Sequence, residues 1–274
     1  MSYLDDMFGV HGKTALVTGG ATGIGRMIAT GLAHGGARVL IASRKGEDCA
    51  RVADEINAEG PAGKVEGFGG DVGTAEGVQA LAAEVASRTD KLHILFNNAG
   101  ITWGAELGKF PRFGFDKVMN VNVAGLFDLT QALMPIMTET ATDEDPARVI
   151  NLGSVMGHWP LGDGAYSYSA SKAAVHHLTK ILAKELAPRR FTVNAFAPGP
   201  FQSNMTAFAT ASDEQAAAVG SDVPLGRIGI PSDIQGASLF LCSKAGAYTT
   251  GCILPLDGGL GVVTGGNLFE KGLH

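Results

Sequence analysis

Apolar runs of strand length alternate with segments of helical period along most of the chain. Residues 13–18 (KTALVT) read as a buried strand. Ile24, Ile28 and Leu32 then repeat every four residues and share one helix face. Residues 38–42 (RVLIA) predict a second strand and 49–58 the next helix. The alternation continues with a strand at 64–69, a helix at 74–88 and strands at 92–96, 148–152, 192–196 and 252–256. This order predicts an α/β fold: a Rossmann-type, doubly wound parallel sheet of about seven strands with helices on both faces.

No shift in composition divides the 274 residues, so one domain over 1–274 is expected, with 1–12 as an N-terminal arm and 260–274 as a tail. The tail could cross a neighbouring subunit, close the site or be a loose end. Two segments break the rhythm. Residues 138–146 (TETATDEDP) are acidic and polar and read as an exposed loop. Residues 198–231 scatter prolines and glycines around a helical AFATASDEQAAAV stretch. A long excursion after a strand end predicts a substrate lid over 200–231; a surface excursion without a role is the alternative.

Composition narrows the classes. Hydrophobic residues make up 45% of the chain, enough for a large core, and charged residues 18%, fewer than the usual ~25%. So sparse a charged surface favours burying part of it in a homodimer or homotetramer. A net charge of −6 with no basic stripe argues against nucleic acid. Cys49, Cys242 and Cys252 form no CxxC pair, which fits a reducing, cytoplasmic setting without disulfides or zinc. His158, His176 and His177 have no metal-ligand spacing with acidic partners and read as surface or pocket residues. The N-terminal stretch is not that of a signal peptide, and no run approaches the ~18 apolar residues of a membrane span.

The first strand runs into Thr18-Gly19-Gly20-Ala21-Thr22-Gly23-Ile24-Gly25 and then a helix. Glycines there allow a tight turn, and the helix N-terminus offers N–H groups and a positive dipole end to a pyrophosphate. The second strand ends in Ile41-Ala42-Ser43-Arg44-Lys45, with no carboxylate at its tip. NAD-binding chains usually place one there, about 20 residues past the glycines, for the ribose hydroxyls. A hydroxyl and two cations suit a 2′-phosphate instead, which favours NADP(H) over NAD(H). An ordinary solvated pair opening the next helix is the alternative. Asp71-Val72 could meet the adenine edge, or Asp71 could cap a helix.

Tyr168 and Lys172 are four residues apart in an amphipathic segment, so they share a helix face. An ammonium beside a phenol favours the phenolate, which predicts a lowered Tyr168 pKa and a usable proton donor or base. Tyr166, a rival phenol, lies six positions from Lys172 and off its face.

With these pieces the chain resembles the short-chain dehydrogenase/reductase family. The matching motifs are TGGATGIG at 18–25, NNAG at 97–100, Asn122 in MNVNVAG, Ser154 in NLGS, YSASK at 168–172, Pro198-Gly199 and LDGG at 256–259. They occur in the family's order and span nearly the whole chain. The resemblance implies metal-free hydride transfer between a nicotinamide and a ketone or secondary alcohol. It implies Tyr168 as acid/base, Lys172 on the nicotinamide ribose and Ser154 on the substrate oxygen. Asn122 would hold a water in a proton relay ending at Lys172. Asn98, Ala99 and Gly100 would line the cofactor cleft, with Pro198, Gly199, Phe201 and Ser203 near the nicotinamide. Gly19, Thr22, Gly23, Ile24, Gly25, Ser43, Arg44, Lys45, Asp71 and Val72 would complete the cofactor set. Ser203 stands where the family usually has Thr, and Thr22 where many NADP-using relatives carry a basic residue, so the cofactor expectation rests mainly on Arg44.

The stretches ITWGAELGKFP and AYSYSASKAA, together with the region around residues 138–157, look most like the 3-oxoacyl reductases of rhamnolipid synthesis. That similarity points to a ketone on an acyl chain. Trp103, Met156, His158, Trp159, Leu161 and 201–219 are candidate pocket walls, and Lys184, Arg189 and Arg190 the one evident basic cluster for an acidic acyl carrier. A free or CoA-linked ketone, or a steroid, cyclic or aromatic ketone with NAD(H), remains open, as does a non-catalytic cofactor-binding regulator.

Overall fold

The computed structural model describes residues 2–203 and 205–262. Seven parallel strands form one sheet in the order β3-β2-β1-β4-β5-β6-β7. In chain order the elements are α1 (Tyr3–Phe8), β1 (Thr14–Thr18), α2 (Gly23–His34), β2 (Arg38–Ser43), α3 (Gly46–Ala58), β3 (Lys64–Gly69), α4 (Ala75–Arg88) and β4 (Ile94–Asn97). Then come α5 (Arg112–Met119), a π-helical turn (Asn120–Ala124), α6 (Gly125–Thr138), β5 (Ala147–Leu152), α7 (Tyr166–Leu186) and β6 (Phe191–Pro198). The chain closes through α8 (Ala207–Thr210), α9 (Asp213–Ser221), α10 (Pro231–Cys242) and β7 (Ile253–Leu256).

Both faces of the sheet are covered, so its strands read as unbroken apolar runs. Successive residues serve opposite cores. Ala15 and Val17 of β1, with Val39 and Ile41 of β2, pack under α2, α3 and α10. Leu16 and Leu40, between them in sequence, join Leu81 of α4, Leu133 of α6 and Leu182 of α7 on the other face. β1 lies between β2 and β4, where the winding reverses, and the crevice beyond the strand ends at such a point is where ligands bind in open α/β sheets.

The expected strands form within two residues of their predicted ends. The N-terminal arm carries a short helix that was not expected, with a capping box between Ser2 and Asp5 and an ion pair from Asp6 to Lys244 at 3.0 Å. Nor did the hydrophobic pattern mark α5 and α6. The 138–146 loop is exposed for the most part, but Asp145 turns inward to pair with Lys13 and with the fully buried Arg148. The AFATASDEQAAAV stretch is two helices, because Ser212 and Gln215 form a capping box that starts α9 afresh. Of the expected tail, residues 263–274 lie outside the described residues.

Candidate active site

The loop after β1 gains its shape from glycine. Gly19 and Gly23 have φ of 66° and 50°, in the left-handed region that side chains disfavour. A Cβ at Gly25 would overlap the Gly19 carbonyl, so the loop closes tightly on the first turn of α2. Thr22 is the N-cap of α2 but makes no side-chain cap, which leaves first-turn N–H groups facing the crevice. Ser203 sits above this turn: a Cβ at Gly23 would lie 2.8 Å from its Cβ.

Thr18 and Asn98 fasten the loop to β4. The Thr18 hydroxyl accepts from the N–H groups of Asn98 at 3.1 Å and Ala99 at 3.0 Å, while Asn98 Nδ2 donates to the Thr18 carbonyl at 2.7 Å. A cavity of about 550 Å³ opens on this side, lined by Ser43, Arg44, Asp71 and Val72, and reaches Ala99 and Gly100. Arg44 is exposed and has no side-chain partner among the described residues. Lys45 does not line the cavity; its exposed side chain, just before α3, lies 3.9 Å from Asp48 in the first turn of that helix. Asp71 is not a helix cap: its Oδ1 accepts from Gly73 N at 2.9 Å, and Thr74 caps α4.

A second cavity of about 210 Å³ continues across Gly19, Ala99 and Gly100 to Ser154, Tyr168 and Lys172. Ile24, Pro198, Gly199, Phe201 and Ser203 also line it. A dinucleotide fits this continuous crevice on three counts: uncapped helix N–H groups for phosphate, an unpaired guanidinium at the tip of β2, and glycines where the loop comes close.

The wall opposite the loop is built by β5, the turn after it, and α7. Ser154 has extended backbone, and its hydroxyl accepts from Met156 N at 3.2 Å, so its hydrogen is available to donate toward the Tyr168 oxygen or a ligand. Lys172 is buried; its Nζ donates to the Leu152 carbonyl at 2.6 Å and stands 5.5 Å from the centre of the Tyr168 ring. Burial lowers the Lys172 pKa to about 8. Tyr168 departs from expectation: burial raises its pKa, and the Ser154 hydroxyl acts only partly against this. Sharing a helix face with Lys172 does not offset this burial.

Asn122 lies in the π-helical turn, a local widening often found at functional sites. Its Oδ1 accepts from Ile101 N at 2.9 Å, and its Nδ2 donates to the Ile101 carbonyl and to Ser171 Oγ, each at 3.0 Å. A Cβ at Gly100 would lie 3.3 Å from Asn122 Oδ1 and 3.6 Å from Lys172 Nζ, so both groups border Gly100. Three residues have roles that sequence reasoning did not assign. Thr18 opened the glycine motif, but its hydroxyl's hold on the Asn98 and Ala99 backbone was not foreseen. Thr206 lines the cavity and shares a 3.0 Å hydroxyl contact with Ser203. His176 was read as a surface or pocket residue but is buried, and its Nε2 accepts from Ser154 N at 3.3 Å. Its i+4 spacing from Lys172 was the available signal. Among the described residues no cluster of His, Cys, Asp and Glu could hold a metal ion.

A family model described as enoyl-(acyl carrier protein) reductase matches residues 19–261. The chain belongs to the short-chain dehydrogenase/reductase family. It is 42% identical to the rhamnolipids biosynthesis 3-oxoacyl-[acyl-carrier-protein] reductase of Pseudomonas aeruginosa, over 92% of this chain and 97% of that one. It is 37% identical to a 3-oxoacyl-[acyl-carrier-protein] reductase of Aquifex aeolicus, over 92% and 98% of the two chains. The solved NADP active-site complex of RhlG from Pseudomonas aeruginosa superposes with a TM-score of 0.89 at 42% identity, over 93% of this chain and 99% of that one. A gluconate 5-dehydrogenase from Burkholderia cenocepacia, solved with NADP and tartrate, gives 0.86 at 31% identity, over 96% and 100%. Membership in this family makes the chain an oxidoreductase.

Proposed function

We propose that this oxidoreductase uses NADP(H) to interconvert a ketone and a secondary alcohol, with a 3-oxoacyl thioester as the substrate class. The observation that carries the reading is the single crevice in which Ser154, Tyr168 and Lys172 face the glycine loop. Relatives named for 3-oxoacyl reduction and one solved with NADP support it. Bound NADPH supplies the hydride. The first turn of α2 and Arg44 hold the cofactor's phosphates, and Gly19, Gly23 and Gly25 let the backbone approach them. Asp71, Val72, Asn98, Ala99 and Gly100 line its path, and Pro198, Gly199, Phe201 and Ser203 flank its far end.

Ser154 donates its hydroxyl hydrogen to the substrate carbonyl oxygen. As the carbonyl carbon accepts hydride, Tyr168 gives that oxygen its phenol proton, and the alcohol forms. The raised pKa of Tyr168 keeps the phenol protonated at neutral pH, which suits reduction; oxidation needs the phenolate and gains from higher pH. Lys172 holds the cofactor ribose, and Asn122 fixes the Gly100–Ile101 backbone beside it.

We read the chain as one domain in which residues 200–231 cover the substrate; Met205 and Thr206 line the cavity from that segment. A homodimer or homotetramer and a cytoplasmic setting complete the reading. The thiols of Cys49, Cys242 and Cys252 are free. No helix among the described residues is long and apolar enough to cross a membrane.

The test follows reduced-nicotinamide absorbance across a panel of 3-oxoacyl thioesters, cyclic and aromatic ketones, steroids and gluconate, each with both cofactors. Turnover of 3-oxoacyl thioesters with NADPH preferred in kcat/KM is the expected result. An NADH preference overturns the cofactor assignment, and turnover confined to another panel member overturns the substrate class.

A further inference from the structure

Behind the serine turn lies a side chain that the hydride-transfer reading does not use. His176 is on α7, one turn beyond Lys172 and two beyond Tyr168, and only 4% of it is exposed. Its ring is clamped by the turn that carries Ser154. A Cβ at Gly153 would overlap its Nε2, and one at Gly157 would lie 2.6 Å from its Cε1. The His158 ring covers it at 4.3 Å between centroids. Glycine at 153 and 157 is therefore what admits an imidazole here.

The ring's hydrogen bonding is lopsided. Nε2 accepts from Ser154 N, so in the neutral ring the proton sits on Nδ1. Nδ1 is buried and has no partner among the described residues. A buried N–H without a partner loses its hydration and gains nothing in return. Packing alone would be served better by an apolar ring of the same shape. What an apolar ring lacks is the acceptor for Ser154.

We infer that His176 is a positioning residue: its neutral Nε2 holds the Ser154 backbone so that the serine hydroxyl meets the substrate oxygen. The inference rests on the role proposed above for Ser154. Ser154 is then fixed from both sides, its N–H by His176 and its hydroxyl lone pair by Met156 N. Because α7 also carries Tyr168 and Lys172, one rigid helix sets the serine and the tyrosine in a common frame. Protonation would turn Nε2 from acceptor to donor and break the hold. Burial, and the charges of His158, Lys172 and Lys180 around the ring, oppose it and lower its pKa to about 4. The acceptor therefore persists through the neutral range.

The test compares wild type with His176→Phe, His176→Asn and Ser154→Ala, using NADPH and the best ketone of the panel. His176→Phe should fold as stably as wild type and bind NADPH within about twofold, while kcat falls roughly tenfold or more, the loss of one oriented hydrogen bond. His176→Asn, which restores a side-chain acceptor, should recover part of that kcat. A His176→Phe enzyme with wild-type kcat, or one whose kcat falls only in step with thermal stability, overturns the inference. Long-range ¹H–¹⁵N spectra of the wild-type holoenzyme give a readout independent of any variant: a protonated Nε2 at neutral pH also overturns it. Full activity of Ser154→Ala instead sinks the serine role in the proposed function, so the two failures are distinguishable.

Discussion

Along the β1 wall of the crevice, the first-turn N–H groups of α2 and the Arg44 guanidinium have no side-chain partner among the described residues; along the β5–α7 wall nearly all polar groups already have one. On the first wall, the opening turn of α2 is uncapped by Thr22 and Arg44 has no side-chain partner among the described residues. On the second, Lys172 is bound to Leu152, Asn122 to Ile101 and Ser171, and Ser154 to Met156 and His176. The difference teaches a division of labour. A wall of unpaired donors gains its partners from a ligand and so governs affinity. A wall paired within itself is organised beforehand and governs the rate, since dipoles fixed in advance need no rearrangement during reaction.

The largest effect should come from the paired wall. Tyr168→Phe removes the proton donor and keeps the ring, so kcat should fall on the order of 10²–10⁴-fold. NADPH affinity, measured by fluorescence titration, should stay within about twofold. A parallel loss of cofactor affinity would break the proposed separation of the walls. Next is the open wall. Arg44→Ala should lower kcat/KM for NADPH roughly ten- to a hundredfold, the worth of a hydrogen bond to a charged group, and leave NADH nearly unchanged. Equal losses with both cofactors would show that Arg44 does not meet the 2′-phosphate.

The two walls also differed in how legible they were. The open wall is local in sequence: a strand, a glycine turn and a helix start lie within residues 14–25, where positive φ accounts for Gly19 and Gly23 and close approach for Gly25. On the paired wall, the Tyr168–Lys172 spacing and the motif order located the residues, but pairing across elements decided their electrostatics. Lys172 bonds a carbonyl of β5, a contact that helical spacing does not encode, and burial, equally invisible to spacing, moved the Tyr168 pKa up rather than down. His176 looked polar and expendable because its burial depends on glycines 19 and 23 positions earlier in the chain, at 157 and 153. Lys45 carries an apt charge at the right place in sequence, and its exposed side chain stands outside the cavity, 3.9 Å from Asp48. The parallel sheet itself was plain, since strands buried on both faces leave long apolar runs. The helices from 112 to 138 were not, because that stretch mixes apolar and polar positions around the π-helical turn at Asn122.

A third expected effect is on stability, reached only away from neutral pH, and it shows what a wall organised beforehand demands of the fold. His176 has a folded pKa of about 4, below its ordinary 6.5. As pH falls through 6.5 the unfolded chain takes up this proton before the folded one does, so unfolding is favoured. The stability is therefore full above pH 6.5, declines down to about pH 4 and changes no further below it, by up to about 3 kcal/mol in all. Carboxylates also titrate in this range, so the measurement is a difference. Chemical denaturation of wild type and His176→Phe at several pH values should give curves that coincide near neutral pH and separate as the solution is acidified, with the variant the more stable. Lys172, with a folded pKa of about 8 against an ordinary 10.5, works in the same sense at alkaline pH: stability rises as pH increases between those values. Lys172→Met should flatten that rise. Parallel curves for wild type and variant in both windows would mean that these side chains are solvated in the folded chain, and the contrast between an open wall and a paired one would fail at its most buried point.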